Sequence, residues 1–155
     1  MYTYYFLFQG GFMEIQEILG YMLNTSSKLI KRTMENYLSK YDITTSQWAV
    51  LKLLDTKIQL TQSQIANELL ADKATVGEII LRLYEKNYIE KSFCKADRRA
   101  YVINLTPKAN EAVKDIEGMV IEVTEKAVQG LTGDDIQLLY KYLNQIIVNL
   151  KGELI

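Results

Sequence analysis

The chain has 155 residues, a length that suits one ordinary domain or one compact two-part subunit. With 48% apolar and 24% charged residues it can bury a core, and the balance is not that of a disordered chain. There is no His and only one Cys, Cys94, so an imidazole metal site, a serine–histidine hydrolase and an internal disulfide framework are excluded, and a reducing cytoplasm is the expected location.

Residues 1–12, MYTYYFLFQGGF, are apolar and aromatic but lack a basic start and a small-residue cleavage site, so they read poorly as a signal peptide. Three readings of this leader stay open: an artefact of an upstream start codon, a cover for the core, or a partner-docking arm. No apolar run reaches the roughly 18 residues of a membrane span, and no membrane partner is expected.

Helical periodicity begins after Met13. Ile15, Ile18, Leu19, Met22, Leu23, Leu29, Ile30, Met34, Tyr37 and Leu38 fall at steps of three and four, one stripe of a helix of some 25 residues. That is longer than a single small core needs, which points to a partner subunit.

The next helices announce themselves by their caps. Thr44 stands three residues before Gln47, with Ile43 and Trp48 placed to staple the turn, and Thr61 with Gln64 repeats the device between Leu60 and Ile65. Thr132 with Asp135 does so again, and Thr106–Pro107 puts Pro at the first helical position, where its missing N–H costs nothing. Helices are expected over 45–56, 61–70 and 73–87. The second should bury Ile65, Ala66 and Leu69, and the third Val76, Ile79, Ile80 and Leu83, leaving Lys73, Thr75, Gly77, Glu78 and Arg82 outward. Two short amphipathic helices joined by the linker LADK match a helix-turn-helix.

Asn87 can take the left-handed conformation that ends helices. Beyond it the period falls to two: residues 88–93 and 100–105 read as strands flanking a charged tip, Cys94-Lys95-Ala96-Asp97-Arg98-Arg99. A hairpin in that position is a wing. From Lys73 to Tyr101 seven basic residues stand against four acidic ones, a net of +3 that leaves −4 for the rest of the chain. Positive charge gathered on one segment attracts phosphate. Two further apolar stripes follow, Ala112 to Val123 and Ile136 to Leu150, separated at Gln129-Gly130.

The stretches ITTSQWAVLKLL, LTQSQIANELLADKATVGEIILRLYEKNYIEK and ADRRAYVINLTPKA together resemble the core of the MarR (multiple antibiotic resistance regulator) family, over about residues 40 to 110. Asp97, Arg99 and Leu105-Thr106 carry the most diagnostic part. The resemblance implies a mainly α fold with a small β wing (α+β): a winged helix-turn-helix over 43–106, flanked by dimerisation helices over 13–42 and 107–155. It further implies a homodimer that binds a palindromic double-stranded DNA operator and represses transcription until a small-molecule effector releases it. The recognition helices would enter successive major grooves, with the wings reaching the flanking minor grooves.

Carried onto this sequence, the DNA contacts fall on Thr61, Ser63 and Gln64, on Lys73, Thr75, Gly77, Glu78 and Arg82, and on Lys95, Asp97, Arg98 and Arg99. Thr75 can bond a base edge or touch a thymine methyl, and Lys73 can neutralise phosphate. Arg99 suits the potential of a narrow minor groove, beside Arg98. Asp97 is either a brace for Arg99 or a turn-former. Gly77 and Glu78 depart from the family's usual hydroxyl and basic or amide residues. Gly77 would allow close approach to the duplex, and Glu78 would repel phosphate unless it accepts from a cytosine amino group.

Cys94 is an inert thiol or, with Lys95 beside it, a redox sensor. Tyr21, Met22, Tyr37 and Trp48 are either core or the lining of a cavity for a small aromatic or amphipathic effector. No nucleophile–base pair, phosphate loop or metal cluster appears, so neither an enzyme nor a cofactor is expected; the competing reading is a winged-helix module that docks proteins instead of DNA. Light scattering at micromolar concentration should return twice the 17.9 kDa chain mass. A stable monomer that still binds DNA tightly would refute the dimer.

Overall fold

A computed structural model of the chain describes residues 14–15, 18–57, 59–93 and 101–152. Among the described residues, six α-helices and one hairpin run in the order α1 (Leu19–Leu38), α2 (Thr45–Thr56), α3 (Gln62–Glu68), α4 (Lys73–Glu85), β1 (Ile89–Phe93), β2 (Tyr101–Leu105), α5 (Pro107–Ala127) and α6 (Gly133–Lys151). The chain divides into two compact units at Val120 and Ile121, within α5.

The caps expected from sequence are the caps that form. The backbone N–H of Gln47 donates to Thr44 Oγ1 at 3.2 Å while that of Thr44 donates to Gln47 Oε1 at 3.0 Å, and Thr61–Gln64 and Thr132–Asp135 close the same reciprocal box. At Thr132 the Asp135 carboxylate also accepts from the threonine hydroxyl, and these bonds hold its carboxyl below the usual range. By contrast α1 begins at Leu19, four residues later than its apolar stripe suggested, and Ile18 at its cap has no side-chain oxygen to offer.

Helix ends follow the left-handed positions. Asn87 has φ 58° and Tyr88 donates its N–H back to Leu83 O, so α4 ends at Glu85. Leu70 has φ 51° and Ala71 donates to Ala66 O, so α3 stops at Glu68, short of the expected residue 70. Leu69 is consequently only half-buried, as is Ile79 on α4.

In the unit ending at Val120, α2 and α3 pack on α4, and all three on the hairpin, around Val50, Leu51, Ile65, Val76, Ile80 and Leu83, each at most 2% exposed. The strands are antiparallel with Ile89 opposite Leu105 and Phe93 opposite Tyr101. Ile103 also donates its N–H to Leu60 O at 2.9 Å, tying the hairpin to the residue that precedes α3. On α1 only Met34 and Leu38 are buried, and α6 buries none of its residues; Leu29, Ile30, Tyr140, Ile147, Val148 and Leu150 are all exposed in the single chain.

Thr106, 7% exposed, joins the wing to α5. Its hydroxyl lies 2.9 Å from Asn87 O and 3.2 Å from Tyr88 O as a donor, and accepts the N–H of Ala109 at 3.3 Å. Replacing it with Val keeps the shape and removes both roles. Thr106→Val should therefore lower the unfolding free energy by about 1–2 kcal/mol in urea titration, the range for loss of a helix cap in a buried setting.

Candidate nucleic-acid interface

Burial of Val76, Ile80 and Leu83 settles which side of α4 turns outward. Thr75, Glu78 and Arg82 are exposed and, at spacings of three and four, share one helical face, with Lys73 exposed at its start. Asp72 caps this helix: Thr75 donates its backbone N–H to Asp72 Oδ1 at 2.8 Å and its hydroxyl to Asp72 Oδ2 at 2.6 Å. Those two bonds, the hydroxyl's first, hold the Asp72 carboxyl below its ordinary range. Asp72 was not among the residues singled out from sequence, although an Asp three residues before Thr75 and ahead of an apolar run is a capping signal.

Gly77 departs from expectation. Instead of facing outward it is half-buried against α3, where the side chain of Gln62 crosses it. Gln62 Nε2 donates to Lys73 O at 2.8 Å, and a Cβ on Gly77 would meet that nitrogen at 2.8 Å, well inside contact. A side chain at 77 would thus displace the amide that links the first turns of α3 and α4. Gln62 was also missed from sequence, since its partner lies eleven residues away.

Thr61 and Gln64 form the α3 cap: Thr61 donates both its N–H and its hydroxyl to Gln64 Oε1 at 2.9 Å, and the Gln64 side-chain amide nitrogen takes no part in it. Ser63 stands exposed beside them. Thr61, Gln62 and Ser63 form one wall of a cleft of about 260 Å³, closed by Ile80 of α4 and by Lys91, Tyr101 and Ile103 of the hairpin. Lys91 also sits 5.5 Å from the ring centroid of Tyr84, and Phe93 stacks on Tyr101 with centroids 4.8 Å apart at the outer end of the described strands. The wing-tip residues Cys94, Lys95, Asp97, Arg98 and Arg99 lie outside the described residues.

Of the four aromatic and Met residues considered for an effector cavity, Tyr21 and Met22 are exposed on α1, and Tyr37 and Trp48 are half-buried. Among the described residues no group of His, Cys, Asp or Glu could hold a metal ion, and no helix is long and apolar enough to cross a membrane.

The Gln62–Gly77 crossing is testable by a double-mutant cycle. Gly77→Ala gains roughly 1 kcal/mol of helix propensity but displaces the Gln62 amide. In the wild-type background the two effects should nearly cancel, and with Gln62→Ala the full gain should appear. Equal effects of Gly77→Ala in both backgrounds, by denaturant unfolding, would show that the two residues do not interact.

Residues 43–101 match the MarR family. The chain is 23% identical over 120 residues to the HTH-type transcriptional repressor IacR of Pseudomonas putida, covering 77% of this chain and 72% of that one. Among solved structures it superposes on a variant of E. coli MarR complexed with operator DNA with a TM-score of 0.79 (22% identity, 88% of this chain and 99% of that one). It superposes on Bordetella bronchiseptica BpsR, whose DNA binding is regulated by 6-hydroxynicotinic acid, with a TM-score of 0.80 (21% identity, 88% and 97%). At these identities the structural likenesses establish the winged-helix fold, with the mainly α architecture and two-stranded wing expected from sequence. The family match falls on the helix-turn-helix and wing inside that fold, so it is over residues 43–101 that this chain is similar to the MarR family.

Proposed function

We propose that the protein is a sequence-specific double-stranded-DNA-binding transcriptional repressor that acts as a homodimer on a palindromic operator, without catalysis, in the cytoplasm. The observation that carries this is the outward face of α4, with Lys73, Thr75, Glu78 and Arg82 exposed on a helix whose other side is locked into the core of a MarR-family domain. Lys73 and Arg82 supply charge for phosphate, and Thr75 and Glu78 supply polar groups for base edges. Thr61, Ser63 and Gln64 at the start of α3 are assigned to the duplex backbone, and Lys95, Arg98 and Arg99, with Asp97 as brace, to the minor groove.

Residues 13–42 and 107–155 are assigned to dimerisation, on the strength of the apolar side chains that α1 and α6 leave exposed in the single chain. The DNA-binding part is residues 43–106. Release by a small aromatic or amphipathic effector is part of the proposal. It draws on the regulation of BpsR by 6-hydroxynicotinic acid, with Tyr21, Met22, Tyr37 and Trp48 as the candidate lining.

Two substitutions separate the kinds of contact. Arg99→Ala should weaken binding to operator and to unrelated duplex, more so for sites with an A·T-rich flank, and should reduce the slope of log affinity against log salt by about one. Thr75→Ala should leave that slope unchanged and cost on the order of 1 kcal/mol on the operator alone. If both variants keep full operator affinity in a salt titration, the DNA-reading assignment fails.

A further inference from the structure

The hydroxyl of Thr75 reaches the outer face of α4 with its proton already committed. It donates to Asp72 Oδ2 at 2.6 Å, while the backbone N–H of the same residue occupies Asp72 Oδ1 at 2.8 Å. An ionised carboxylate only accepts, so the direction of the first bond is fixed. A threonine hydroxyl has one proton and two lone pairs; with the proton turned toward Asp72, what faces outward is acceptor capacity and a methyl group. Glu78, exposed on the same face one turn further on, is likewise an acceptor when ionised.

We infer that Asp72 is a specificity-determining positioning residue: by holding the Thr75 proton it makes Thr75 an acceptor-only reader, which selects a base that presents an amino group in the major groove. Adenine N6 and cytosine N4 are such donors, whereas guanine O6 and thymine O4 are acceptors and would face the Thr75 oxygen lone pair against lone pair. The inference rests on the DNA-reading role of α4 proposed above and adds to it which edge chemistry one position of each half-site must carry.

Asp72→Asn tests this without removing the cap, since Asn caps helices as well as Asp does. The Thr75 N–H still requires an acceptor, which places the new amide oxygen at the Oδ1 position and the NH2 group where Oδ2 stood. That group donates to Thr75 Oγ1, and the threonine proton must turn outward. Polarity at the base edge is reversed with the shape unchanged.

The full-length protein and its Asp72→Asn and Thr75→Val variants are each used to select binding sites from a random double-stranded DNA library, and relative affinities are read from the enriched pools. The wild-type protein should prefer adenine or cytosine at one position of each half-site. Asp72→Asn should prefer guanine or thymine there by on the order of fivefold, the scale of one hydrogen bond gained against one lost. Preferences elsewhere in the site should stay as they were. A general gain in affinity from the lost negative charge would fall on all sequences alike and leaves this ratio untouched. Thr75→Val, which keeps the shape and drops the oxygen, should abolish the advantage of the amino-bearing bases at that same position.

If Asp72→Asn selects the same base as the wild type at every position, or Thr75→Val keeps the adenine or cytosine preference, the inference is overturned and the repressor assignment stands. If no sequence is enriched by the wild-type chain, the assignment falls and the inference with it.

Discussion

Burial of three side chains, Val76, Ile80 and Leu83, sets the rotation of α4 about its own axis, and the rest of the candidate interface depends on that angle. Each step along a helix turns a side chain by about 100°, so a register error of one residue would bring Val76 out and Thr75 in. The apolar stripe leaves no such freedom. Ile80 and Leu83 are at most 2% exposed against α2, α3 and the hairpin, where loss of either would cost roughly 2–5 kcal/mol. Thr75, Glu78 and Arg82 are outward because their neighbours have to be inward.

The direction in which α4 points is held by shorter contacts at its two ends. At the start, the Gln62 amide passes over Gly77 to reach Lys73 O, and the missing side chain at 77 is what lets it pass. At the far end, Lys86 pairs with Asp42 at 3.1 Å and donates to its backbone oxygen, while the Tyr88 hydroxyl donates to Tyr41 O at 2.8 Å. Burial, with Asp42 and Tyr41 nearby, raises the Tyr88 pKa, further from neutral pH, where a phenol is already a donor. Lys108 of α5 reaches back to Lys86 O and lies 4.2 Å from the Tyr88 ring centroid. Singly, exposed pairs of this kind are worth less than about 1 kcal/mol. Their effect here is geometric: they join the approach to α2, the end of α4, the start of the wing and the start of α5.

The chemistry of the outer face is mixed in sign. Lys73 and Arg82 bracket Glu78, and Asp72 adds a second carboxylate at the helix start. In the DNA-binding role proposed above, such a face would gain less from phosphate charge alone than a uniformly basic one, and would draw a larger share of its affinity from matched base edges. Asp72 serves two ends at once. It supplies the cap that starts α4, and it accepts the proton of the Thr75 hydroxyl.

What could be read from the sequence was local. Caps at Thr44, Thr61 and Thr132, the left-handed stop at Asn87, the inward stripe of α4 and the period change at the wing each depend on residues within four or so positions of one another. Their hydrogen bonds and faces follow from helix and strand geometry alone. The Asp72–Thr75 pair belongs to this class as well. The tertiary structure decided what the chain brings together over distance. Gly77 reads as a surface position open to a ligand until α3 folds across it, because its neighbour Gln62 comes from fifteen residues earlier and no periodicity reports it. The end of α3 at Glu68 is local but carries no signal in residue type: Leu70 takes a left-handed conformation that a Leu adopts only at a cost, beside the Ala71–Ala66 bond. Local signals located α4 and its apolar stripe. Only packing could say that Gly77 is covered as well, and by what.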